Sequence, residues 1–161
     1  MTEASEDDTI TITTSFEITK PIVIDKAVTV TADKGVVLTA KGDFSAPSFD
    51  PHVFRLYHAD AVLDNVAVVI DSSNSSNVNI VYLHAGTVQN CKFTGSGATD
   101  TPVTRGVMVE SGAKNVVIKD NVFNRFFASA YINGGAKGEI TNNESEDTKE
   151  GWCIEIGRAH V

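Results

Sequence analysis

Five short stretches of the chain carry the side chains with the most chemical potential: Phe54-Arg55-Leu56-Tyr57, Val81-Tyr82-Leu83-His84, Val107-Met108-Val109-Glu110, Ala130-Tyr131-Ile132-Asn133 and Cys153-Ile154-Glu155. Their aliphatic anchors Leu56, Leu83, Val109, Ile132 and Ile154 follow one another at intervals of 27, 26, 23 and 22 residues. If the anchors point into a core, strand alternation sends their neighbours outward. One outward column then holds Arg55, Tyr82, Met108, Tyr131 and Glu155, and the next holds Tyr57, His84, Glu110 and Asn133. All three tyrosines of the chain fall on this face. Tyrosine offers an apolar ring that packs on a sugar face and a hydroxyl that stays wet, so Tyr57, Tyr82, Tyr131 and Asn133 are candidate ligand contacts. His84 and Glu110, about 5 Å apart on adjacent strands, have the makings of an acid/base pair. Arg55 is the basic residue of the same face. Each has a plainer explanation: tyrosine favours strands, His84 and Glu110 make an ordinary cross-strand pair, and Arg55 is solvated. With the tyrosines exposed, Tyr82→Ala or Tyr131→Ala is expected to change stability by only about 0.5 kcal/mol.

Stacked strands are needed to bring these stretches together, and a second recurrent pattern predicts them. Val62-Leu63-Asp64-Asn65, Val88-Gln89-Asn90-Cys91, Ile118-Lys119-Asp120-Asn121 and Ile140-Thr141-Asn142-Asn143 share an aliphatic residue three places before an Asn-like position, at intervals of 26, 30 and 22 residues. Two independent sets of positions thus report one period, the mark of stacked supersecondary units. Val62, Val88, Ile118 and Ile140 are expected to form one buried column, with Asn65, Cys91, Asn121 and Asn143 stacked beside it as a ladder. Asn suits such a corner because it tolerates a left-handed backbone and its amide can bond along the stack. Ahead of these motifs, Ile10, Ile12, Ile18, Ile22, Ile24, Val28, Val30, Val36 and Leu38 alternate with polar residues in short β-branched runs. No segment has a convincing helical period. Polar stretches at Gly42 to His52, Asp71 to Asn77 and Gly95 to Thr104 read as corner loops that absorb the variation in repeat length. The expected fold is all-β, a stack of about six rungs without substantial helix. Leucine-rich repeats share the period but need a leucine signature and a helical return that this chain lacks.

The repeat, its Asn corners and the opening Asp8-Thr9-Ile10-Thr11-Ile12 and Ile18-Thr19-Lys20-Pro21-Ile22-Val23-Ile24 resemble the right-handed parallel β-helix of the pectate-lyase-like superfamily, from Thr9 to Glu155. The resemblance implies an extracellular or cell-surface protein that binds or degrades polysaccharide along the outer face of one sheet, as a lyase or glycoside hydrolase, and it makes Arg55 a candidate base or carboxylate clamp, because the superfamily's lyases use basic residues. A surface or adhesive display module without catalysis is the alternative. The Asn-Thr-Asp, Asp-Asp and Gly-His-Gly set of the superfamily's pectin hydrolases is missing, as are the clustered strand aspartates that hold Ca²⁺ in its pectate lyases.

A net charge of −8 in 161 residues, from 13 Lys and Arg against 21 Asp and Glu, argues against nucleic acid as a partner. No apolar run is long enough to span a membrane. The acidic clusters Glu3, Glu6, Asp7 and Asp8, and Glu144, Glu146, Asp147 and Glu150, read as solvated surface, with a Ca²⁺ site as the alternative; no other cofactor or metal site is expected. Cys91 and Cys153 lie beyond disulfide reach of one another and are expected as two free thiols in the interior. Residues 1–8 read as an acidic, disordered start or a remnant of a cap and residues 9–155 as the coil. Residues 156–161, Ile-Gly-Arg-Ala-His-Val, read as the translation of a sequencing adapter, the coil being expected to continue past Glu155. Open coil ends imply end-to-end self-association.

Overall fold

A computed structural model describes residues 4–44 and 48–154. Glu155 and the segment 156–161 therefore lie outside the described residues. Eighteen strands form three parallel sheets of six. The first contains β1 (Thr9–Ile12), β4 (Thr29–Ala32), β7 (Val62–Asp64), β10 (Gly86–Gln89), β13 (Val116–Lys119) and β16 (Gly138–Thr141). The second contains β2 (Phe16–Ile18), β5 (Val37–Ala40), β8 (Ala67–Ile70), β11 (Lys92–Thr94), β14 (Val122–Asn124) and β17 (Glu144–Glu146). The third contains β3 (Ile22–Ile24), β6 (His52–Leu56), β9 (Val78–Leu83), β12 (Thr104–Val109), β15 (Ala128–Ile132) and β18 (Gly151–Ile154). The chain visits the sheets in turn, so each rung is three strands and the whole is a right-handed parallel β-helix of six rungs. There is no helix among the described residues, and none able to cross a membrane.

Parallel in-register pairing turns the sequence repeat into columns. In the first sheet Val30, Leu63, Val88, Ile118 and Ile140 lie in register. Leu63, Val88 and Ile118 are wholly buried, each burial contributing roughly 1.5–3 kcal/mol. In the second sheet Leu38, Val68, Phe93 and Phe123 do the same, with the two rings 5.7 Å apart. In the third, Ile24, Leu56, Leu83, Val109, Ile132 and Ile154 form the anchor column.

The expected membership of the first-sheet column needs two corrections, the first being that Ile140 keeps its register with Ile118 but is 40% exposed. Val62 pairs with Thr29 and Thr87 on the outer side, and the residue in the buried column is Leu63. The same one-residue slip moves Asn65. It belongs with Asn90, Asp120 and Asn142, all of which turn the corner in left-handed backbone at φ of 52°, 53°, 57° and 53° in chain order. The residues that follow, Val66, Cys91, Asn121 and Asn143, form the inner corner column. Residue type had matched Asn65 to Asn121, but backbone conformation decides the corner.

The amide ladder is therefore shorter and better defined than four residues. Asn121 is wholly buried; its Nδ2 donates to Val88 O at 3.0 Å and to Asn143 Oδ1 at 2.9 Å, and its Oδ1 accepts from Cys91 N at 2.9 Å. Asn143 Nδ2 in turn donates to Ile118 O at 2.8 Å. Each amide satisfies backbone groups that the corner would otherwise orphan. Asn65 does related work one place away, donating to Ala32 O at 2.9 Å.

Three insertions fall at one corner, between the second and third sheets: residues 41–51, of which 45–47 lie outside the described residues, 71–77 and 95–103. They stand beside the third sheet on successive rungs. Asn77 Oδ1 accepts from Val103 N at 2.7 Å, tying the second loop to the third, and Lys149 Nζ reaches Asp100 at 2.6 Å from the turn before β18.

Asn121→Ala should cost about 3 kcal/mol in a urea unfolding experiment, because it strands Cys91 N–H and Val88 C=O together. Cys91→Asn, which extends the ladder by one amide, should stay within about 1 kcal/mol of wild type. Burial also pushes the Cys91 thiol up to about 12. A thiol reagent at pH 8 should accordingly modify Cys153 in the native protein and reach Cys91 only after unfolding.

Candidate functional site

The third sheet is the widest, with strands of up to six residues, and its outer face is bordered by the three corner loops. Alternation governs its C-terminal half. Phe54 and Leu56 are buried, Arg55 lies between them, and Arg55, Tyr82, Met108 and Tyr131 run in register as an outward column. Cys153 completes that column, since it pairs with Tyr131. It is thus an outer-face thiol and not an interior one; Glu155, expected in this place, lies outside the described residues.

Alternation then breaks. Val53 and Phe54 are both buried, as are Ile80 and Val81, and at Gly106 an added Cβ would overlap the interior Phe123 ring. Two consecutive inward residues make a local bulge that returns His52, Asn79 and Arg105 to the outer side. His52 therefore lies with its ring 5.6 Å from that of Tyr82, and the Arg105 guanidinium sits 5.0 Å over Tyr131. The clue in the sequence was the paired apolar residues Val53-Phe54 and Ile80-Val81, which strict alternation does not allow.

The second outward column forms a contiguous polar and aromatic cluster. Tyr57 stacks on His84 with centroids 4.3 Å apart and planes 29° from parallel. His84 Nδ1 donates to Glu110 Oε2, and the same carboxylate lies near enough to the Tyr82 hydroxyl of the neighbouring column to add to the upward shift that burial gives it. With its Nδ1 committed, the imidazole keeps Nε2 as the atom that can take up or deliver a proton. Tyr57 is about half exposed, at 48%, whereas the side chains of His84 and Glu110 are partly covered. Arg55 spreads over two rings, 3.6 Å from the centroid of Phe49 and 4.8 Å from that of Tyr57.

Three of the expected ligand contacts look different in place. Tyr82 is only 9% exposed, because Phe49 of the first corner loop lies edge-on to it at 5.6 Å and His52 flanks it. Its hydroxyl is pushed up to about 12 by burial first, and then by the Glu110 and Asp50 carboxylates. Asn133 spends its amide on Val109 O at 2.7 Å and on the Met108 sulfur. Tyr131 remains half-buried under Arg105. Sequence reasoning missed Phe49, His52 and Arg105, which lie in a loop or beyond the bulge. Among the described residues no three His, Cys, Asp or Glu side chains gather as a metal site.

Burial reverses the expectation for Tyr82→Ala. Removing a ring packed between Phe49, His52 and Glu110 should cost about 3 kcal/mol. Tyr57→Ala, at the exposed end of the same cluster, should cost about 0.5 kcal/mol. Chemical denaturation of the two variants side by side checks the contrast.

No family model matches the chain, and no curated protein and no solved structure matches it either.

Proposed function

We propose that the outer face of the third sheet binds an extended polysaccharide lying along the coil axis, with His84 and Glu110 as the acid/base pair if the chain is cut there. The observation that carries this reading is the stacked pair Tyr57 and His84 with Glu110 at its edge. It offers an apolar shelf, an oriented imidazole and a carboxylate within one solvent-facing patch, the mixture a sugar ring with axial C–H groups and equatorial hydroxyls calls for. The corner loops on one side give the sheet a wall. Acid/base work follows from the same arrangement, because Glu110 fixes the tautomer of His84.

A non-catalytic display module is the second reading. It is favoured by the internal commitments of Tyr82 and Asn133, which leave much of the expected aromatic strip occupied by the protein itself. In that case the loops, and not the sheet, meet the partner.

A screen against acidic and neutral plant and microbial polysaccharides, with assays for new reducing ends and for unsaturated products, separates the two. Wild type should bind, and Tyr57→Ala should weaken binding by roughly 1 kcal/mol or more, several-fold in affinity. If the site cuts, His84→Ala should abolish product while retaining most of the binding. Binding that survives both substitutions unchanged, or none at all, favours display.

A further inference from the structure

Nothing in the face just described explains why a histidine is sealed beneath the loop beside it. His52 is 2% exposed, at the start of β6, with its ring between Phe49 at 6.4 Å and Tyr82 at 5.6 Å. Its Nδ1 contacts Asp50 O at 2.7 Å, so the neutral ring carries its proton there and a second proton goes to Nε2. We propose that His52 is the trigger of an acid-released cover, in which Phe49 shields Tyr82 and Arg55 while His52 is neutral and swings off them when it is charged.

The surroundings of the ring support this. Asp50 on the loop favours the charged form, but Arg55 on the same strand opposes it, and the β9 neighbours Tyr82 and Asn79 bring no charge. Glu110 on β12 accepts from His84 and is not among the charges that act on His52. Burial is the largest effect and holds His52 below the ordinary histidine value of 6.5. The sign follows: the closed arrangement binds the proton more weakly than an opened one, so closure is favoured above about pH 6.5 and weakens as pH falls below it. The movement required is local. Pro51 O is pinned by both Asn79 N and Asn79 Nδ2 at 2.9 Å, and His52 N bonds Phe44 O at 3.3 Å. The rung therefore stays paired while Phe49, joined to it by a cation–π contact with Arg55 and ring edges, gives way. The device concerns the cover alone and holds for any ligand of the face.

Hydroxyl-radical footprinting read by mass spectrometry at pH 7.5 and pH 5 tests it on the full chain. Tyr82 oxidation should rise several-fold at the lower pH, while the interior Phe93 and Phe123 remain protected at both. His52→Phe, a ring that cannot charge, should keep Tyr82 protected at pH 5. Phe49→Ala should leave Tyr82 reactive at both pH values. Equal protection of Tyr82 in wild type at the two pH values overturns the proposal. So does the same rise in His52→Phe, or a Tyr82 that stays protected in Phe49→Ala.

Discussion

Every feature of this molecule depends on parallel, in-register hydrogen bonding between rungs. Strands that stack this way place each residue directly over its counterpart about 4.8 Å away, so a column must satisfy itself from one chemical class or manage the change between two. The inner corner column shows the change being managed. Val66 begins it as an apolar residue, and Asn121 and Asn143 continue it as bonded amides. Cys91 stands at the junction. Its thiol is small and apolar enough to lie against Val66, and it reaches Gln89 O at 3.1 Å, while its backbone N–H is claimed by Asn121. An amide ladder can start at such a place only if the residue before it contributes a backbone donor and asks for little in return.

The same constraint explains what could be read from the sequence and what could not. Column identity repeats, so the anchor series from Leu56 to Ile154 was legible, and with it the inward and outward sides of the third sheet. Register is harder, because like residues occur at neighbouring positions of one corner. Asn65 resembles Asn121 in type yet shares the left-handed corner with Asp120, and the error carried Val62 into a column that belongs to Leu63. A side-chain alphabet does not report φ. The bulge at Val53, Ile80 and Gly106 escaped for a related reason. β6, β9, β12 and β15 all share it, so the period between those rungs shows no trace of it while the face it controls is reversed; only at β18, where Ala128 and Ala130 pair with the consecutive Gly151 and Trp152, does the register shift.

The site was legible in the part that the stack itself builds. Tyr57, His84 and Glu110 touch because they occupy one column, and the 4.3 Å stacking distance of the first two is close to the rung spacing. Loop contacts obey no such rule. Phe49 lies in the first of three corner insertions of unequal length and unlike sequence, and with His52 it changes Tyr82 from an exposed tyrosine to a buried one. Arg55 is affected too, since its guanidinium is spread over the same ring.

Contact within a column is therefore weak evidence for chemistry, because stacking brings neighbours together whatever their purpose. Contact between columns is more selective. Glu110 meets His84 along its own column, while its charge also acts on the Tyr82 hydroxyl of the column beside it. Phe49 of the corner loop and His52 pack against the Tyr82 ring. Where that hydroxyl sits relative to the carboxylate therefore depends on the packing of a corner loop. A scaffold whose rungs are nearly rigid gains its adjustable element at the one corner where the repeat is interrupted.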